Sequence, residues 1–258
     1  ICQMIEMQSD TQKSAEVNRL AKELAEKYKS GDIPQPANAG DNWTSRPFTM
    51  TLLDFESAGR MTMASEFEFI RVALTQKLQD KDRIEMVERE MIDKVLQELN
   101  LSSGALASQE TRNRLGRLMG ASFIATGKYS RFENEVQVIV RLIETETTQA
   151  KVSIMPIFEG DMTPPQIAEA TADKLMEEIR KQYPLKGKIS EVKDKTVKLN
   201  IGSKVGVEKG MVMDVLDDEL LKIGSVKVNN VGPDVAMAEI VERPSGLAKG
   251  MKVREATE

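Results

Sequence analysis

A chain of 258 residues, 30% charged and 40% hydrophobic, is long enough for two modest cores, and no uncharged run reaches the roughly 18 apolar residues a membrane helix needs. A net charge of -5 and a pI of about 5.2 argue against a nucleic-acid binder, which normally shows a basic stripe. With no histidine and one cysteine, Cys2, the chain excludes histidine triads, lacks the common zinc ligands and cannot close an intrachain disulfide.

No signal-peptide pattern stands at the start, where Ile1 leads into polar and acidic residues, so the chain reads as a mature or truncated form. From Asp10 to Ser30, Val17, Leu20, Ala21, Leu24 and Tyr28 recur at spacings of three and four, which predicts an amphipathic helix. Gly31 stops it. The stretch 31–47, "GDIPQPANAGDNWTSRP", is rich in proline and glycine and reads as a linker. Its Asn42-Trp43-Thr44 matches a glycosylation sequon, a tripeptide common by chance.

Residues 48–183 alternate strand and helix. "FTMTLLDFES", Phe48 to Ser57, is apolar enough for a buried strand. Met63 to Lys81 carries Phe67, Ile70, Leu74 and Leu78 on one helical face, and "RIEMVER" alternates at Ile84 and Met86 as a short strand. Helical spacing returns from Met91 to Leu99 and again behind Ser108, an N-cap for a helix through Met119 that Gly120 ends. Strands are expected at Ser122–Phe132, Val136–Glu144 and Lys151–Phe158. Thr163 then caps a helix with Pro164 at its first position, running to Gln182.

Tyr183-Pro184 marks the next boundary, because the residue before proline avoids the helical region. Residues 184–258 are short alternating strands punctuated by glycine, which predicts a small SH3-like β-barrel. Gly202, Gly206 and Gly210 are placed at tight turns, where positive φ costs glycine little. The 13 Lys/Arg after Tyr183 are met by 12 Asp/Glu, so this half hides no basic domain.

Thr126-Gly127-Lys128 invites a phosphate-loop reading but fails it. Ser122 stands where the first glycine belongs, Tyr129 where Ser or Thr belongs, and the segment lies within a strand. Glu144 and Glu146 fall on one side of a regular strand, yet a solvated strand end is far commoner than a catalytic pair. Asp54 closes an apolar strand with neither a histidine nor a glycine-rich loop beside it. Met86, Met119 and Met176 fall on core faces, and Arg112, Arg114 and Arg117 read as a solvated helix face. These residues define no catalytic, cofactor or metal site.

Taken in order, "SAEVNRLAKELAEKYK", "TLLDFES", "VER", "VLQELNLSSG", "LGRLMGASFIATG" and "VRLIETETTQ" resemble the CsgG/FlgO-like domain of bacterial envelope proteins, a relative of the TolB amino-terminal domain, over roughly residues 10–182. "GKISEVKDKTVKLNIGSKVGVEKGMVMDVL", "KIGSVKVNNV" and "LAKGMKV" are similar to the carboxy-terminal domain of the flagellar protein FlgT. The resemblance implies a mixed-sheet α/β sandwich followed by the barrel. It implies no enzyme and no cofactor, but a periplasmic scaffold or ring subunit, facing or anchored to the outer membrane, in a flagellar basal-body ring or secretion-associated assembly. The expected partners are further copies of the chain and other envelope or flagellar proteins. The alternative it carries is a periplasmic activator of a peptidoglycan synthase. Cys2 echoes a lipidated cysteine, although Ile1 rather than a small residue precedes it. The curli channel subunit adds long hairpins that line a membrane barrel. "FENE" joins two strands directly and leaves no room for such a pair, so the chain is not expected to form a pore itself.

Overall fold

The computed structural model describes residues 18–32, 43–57, 64–87, 89–100, 108–145, 147, 149–242, 244 and 246–256. Helix α1 occupies residues 18–30. Then follow β1 (Phe48–Ser57), α2 (Ala64–Gln79), β2 (Ile84–Met86), α3 (Arg89–Glu98), α4 (Gln109–Leu118), β3 (Phe123–Phe132), β4 (Glu135–Glu144), β5 (Ala150–Ile154), β6 (Ile157–Glu159) and α5 (Pro164–Gln182). The mixed sheet runs β2-β1-β3-β4-β5, with β6 also paired to β4. β1 is parallel to β2 and β3, and helices supply the crossovers such pairs require. From β3 onward the pairing is antiparallel.

Helices cover both sheet faces. On one side, Ile70, Leu74 and Leu78 of α2, spaced by four, join Ile167, Leu175 and Ile179 of α5 over Met50, Tyr129, Val138 and Val140 of the sheet. On the other, Ala21 of α1, Ile92, Val95 and Leu96 of α3 and Leu115 of α4 enclose Leu53 and Ile124. β1 serves both cores because successive side chains of a strand alternate: Met50 and Leu52 face the first core and Leu53 the second. β4 shows the plainest period of two: Val136, Val138, Val140 and Leu142 are buried, while Glu135 and Arg141 stay exposed.

Two local readings differ from the sequence. The strand expected over Lys151–Phe158 is two strands, broken at Met155-Pro156, because proline brings no N–H to a ladder. The Pro156 carbonyl still accepts from the Val138 amide at 3.1 Å. Arg114 and Arg117 are not a solvated face either. Arg114 lies 4.3 Å from the Tyr28 ring centroid and donates to the Tyr28 carbonyl at 3.2 Å, which ties α1 to α4. Arg117 donates to the Thr145 carbonyl at 3.4 Å.

Helix α5 starts as its sequence predicts. Pro164 takes the first helical position, and Gln166 Oε1 accepts from both the Thr163 amide and hydroxyl at 2.9 Å. Beyond it, β7 (Lys186–Lys193), β8 (Thr196–Leu199), β9 (Val212–Leu216), β10 (Lys222–Val231), β11 (Ala236–Glu242) and β12 (Lys252–Glu255) close a barrel in the order β10-β11-β8-β7-β12-β9. Its interior holds Ile189, Val197, Leu199, Met213, Val215, Val226 and Val253. The chain is thus a mixed α+β protein: a layered sheet and a closed six-stranded barrel. Among the described residues no helix is long and apolar enough to cross a membrane, which says nothing about membrane-spanning strands.

Candidate functional site

A buried ion pair lies where the barrel meets the layered sheet. Arg83 sits in the turn before β2 and is only 5% exposed; Glu255, on the last barrel strand, is 8% exposed. The Arg83 guanidinium meets Glu255 Oε2 at 2.9 Å and also donates to the Tyr183 carbonyl. The same Glu255 oxygen accepts from the Leu185 amide at 2.9 Å, so the carboxylate has two donors. Burial lowers the pKa of Arg83, and the Glu255 charge opposes that shift. Outside this pair, Lys81 meets Asp173 at 2.7 Å and Arg180 meets Glu208 at 2.9 Å. Together they border an open groove of about 830 Å³. Its cations are matched by neighbouring carboxylates, so it offers no unopposed positive charge for an anion.

The opposite flank of the junction is closed by residues 43–47, which cross the barrel before entering β1. The Trp43 indole donates to the carbonyls of Gly187 at 2.9 Å and Val253 at 3.3 Å. Lys186 and Lys252 place their ammonium groups 5.1 and 5.0 Å from its ring centroid. Ser45 exchanges two hydrogen bonds of 2.8 Å with the Lys186 backbone, and Thr44 accepts from Asn200 at 3.2 Å. Under this strap lies a cavity of about 270 Å³ lined in part by Phe48, Phe123 and Tyr183. Phe48 and Phe123 stack at 3.9 Å, and Tyr183 packs edge-on at 5.7 and 5.0 Å.

The Tyr183 hydroxyl is buried with no hydrogen-bond partner among the described residues. Burial, helped by the Glu144 charge, pushes its pKa up to about 12. An unfolded tyrosine ionises near pH ~10, so the folded chain holds this proton longer. The stability tied to it is complete below pH ~10 and is lost as pH rises towards about 12. In denaturant titrations across that window, the wild type should lose about 1 kcal/mol more than Tyr183→Phe, because solvent at the partly exposed ring screens much of the shift. Identical slopes for the two proteins would refute the assignment.

The predicted site residues scatter rather than converge. Cys2 and Glu146 lie outside the described residues, as does the side chain of Asp54. Glu144 ends β4 and accepts from the Thr147 hydroxyl at 2.5 Å. Gly127 and Lys128 are interior residues of β3, paired with Val140 and Ile139, so they form no strand-to-helix loop. Gly206 and Gly210 have φ of +88° and +94°. Gly202 does not share that conformation: its φ is -144°, and what demands glycine there is space. A Cβ would come within 2.2 Å of the Gly232 carbonyl oxygen. At Gly206 a Cβ would lie 2.5 Å from that of Arg83, so this turn belongs to the junction.

Sequence reading missed Arg83 and Glu255 and placed Tyr183 only as a domain boundary. Trp43 did carry a signal, as the chain's sole tryptophan in a linker otherwise poor in apolar residues. A second surface is apolar. Strand register puts Phe132 and Ile157 on one sheet face, 58% and 51% exposed, with Met155, 59% exposed, in the break between β5 and β6.

The class that these features define is a layered α/β unit fastened to a closed barrel. Residues 68–139, from within α2 to the middle of β4, match the family model of CsgG, the curli production assembly/transport component. The envelope-domain resemblance read from the sequence therefore stands over these residues. No curated protein sequence matches the chain. Among solved structures, it is similar to the LpoB C-terminal domain from Salmonella enterica: 17% identity, 46% of this chain and 87% of that one, TM-score 0.35. It is similar also to lipoprotein GNA1162 from Neisseria meningitidis, at 9% identity, 53% and 99% coverage and TM-score 0.38. TolB from Acinetobacter baumannii is 8% identical, with 77% of this chain and 48% of that one covered at TM-score 0.36. Identities this low and TM-scores below 0.5 decide nothing about function.

Proposed function

We propose that this chain is a non-enzymatic scaffold or ring subunit of a bacterial envelope machine, working in the periplasm on the outer-membrane side. The observation that carries the reading is the CsgG match over residues 68–139. Within the class, a flagellar basal-body ring or a secretion-associated assembly is the first choice, with residues 184–258 acting as a FlgT-like contact module behind a boundary at Tyr183-Pro184. Cys2 is the candidate lipid acceptor. The exposed pair of Phe132 and Ile157 supports a role in protein contact, since grouped exposed apolar side chains mark interaction surfaces. The two-residue turn Glu133-Asn134 between β3 and β4 supports a subunit that adds no membrane hairpin at that point.

A ring subunit associates head to tail through contacts that close. Mass measurement of the protein extracted from native envelopes, together with imaging of those envelopes, tests the proposal. A closed homo-oligomer within a basal or secretion structure is the expected result. A strict monomer recovered only with a peptidoglycan synthase would overturn it in favour of an activator.

A further inference from the structure

We infer that Arg83 and Glu255 form a latch that fixes the angle between barrel and layered sheet, with the Trp43 strap as a second fastening, so that the two parts move as one body. Three separate pieces of chain meet the single side chain of Arg83. These are the Glu255 carboxylate on β12, the Tyr183 carbonyl at the exit of α5, and the Gly206 turn, whose missing side chain admits the Arg83 stem. A planar guanidinium with a fixed fork of donors satisfies such partners at one orientation only. Rotating the barrel about Tyr183-Pro184 would separate this buried ion pair, which is strongly destabilising.

The strap opposes the same rotation from the other flank. Trp43 bonds to β7 and β12 together, and Ser45 bonds to the first residue of β7. Two parts joined by a short connection move against one another by default unless something holds them. Here the holding groups are few, which makes the lock releasable. Losing the Glu255 contact leaves the strap alone to hold the two parts together.

The test uses the whole chain. Glu255→Gln keeps the shape of the side chain and removes its charge; Arg83→Met removes the fork. Native-state trypsin cleavage after Lys186, the first residue of β7, whose backbone Ser45 and β12 hold, reads the open population, and small-angle scattering reads the angle. Each variant is expected to be cleaved roughly 100-fold faster than the wild type and to give a larger radius of gyration, with circular dichroism unchanged. Lys81→Ala, which breaks only the exposed bridge to Asp173, is expected to behave as the wild type. Cleavage within about twofold of wild type and an unchanged scattering profile for Glu255→Gln would overturn the latch. Should Arg83→Met fail to fold, Glu255→Gln decides alone.

Discussion

Gly202→Ala is expected to destabilise the barrel by about 3 kcal/mol. The new Cβ would stand 2.2 Å from the Gly232 oxygen, 2.6 Å from the Pro233 oxygen and 2.7 Å from the Pro233 carbonyl carbon, all of them backbone atoms. No rotamer can relieve that clash, so the segment would have to move. The two amides that follow prevent it, because Ser203 donates to Gly232 at 2.9 Å and Lys204 to Pro233 at 3.1 Å. Making room would break these bonds as well as the packing. Gly210→Ala is the matched control. Its φ of +94° costs an alanine about 1 kcal/mol, but nothing lies within 4 Å of the added carbon. Urea unfolding of both variants checks the contrast. Equal losses would mean that strain, and not contact, governs these turns.

Leu74→Ala should cost about 3 kcal/mol for a different reason. Leu74 is fully buried between α2 and the sheet, in the cluster that also holds Leu175 of α5 and Val140 of β4. Truncation there loses transfer energy and leaves a cavity that helices on a rigid sheet cannot readily close. Val241→Ala, at a 63% exposed position on the barrel, should change stability by less than about 0.5 kcal/mol. Guanidinium titrations of both give the comparison, and a Leu74→Ala loss below about 1 kcal/mol would mean the α2–sheet core is looser than its burial indicates.

Where local chemistry decides an element, the sequence made it legible. The alternation of β4, the four-residue spacing of Ile70, Leu74 and Leu78, and the Thr163-Pro164 start of α5 each appear in the structure as read. Pro156 broke a strand that hydrophobicity alone had drawn as continuous. Gly202 misled because glycine signals two needs, positive φ and absent volume, and only the fold separates them. The junction was unreadable for a different reason. Arg83 and Glu255 stand 172 positions apart, and each has ordinary polar neighbours. Nothing in a single sequence pairs two charges across that distance.

The order in which the chain leaves the ribosome gives β12 a further importance. The layered sheet has all of its strands and helices once Gln182 is made, but Arg83 then still lacks its carboxylate and Trp43 both of its carbonyl acceptors, Gly187 and Val253. The carboxylate and the Val253 carbonyl arrive only with β12, which must also slot between β7 and β9 to close the barrel. The bond from Trp43 to Val253 spans 210 positions, so the slowest loop closure comes last. The nascent protein therefore carries Arg83 without its counter-charge until β12 has been made, and a stall or cleavage before that strand leaves it in that form.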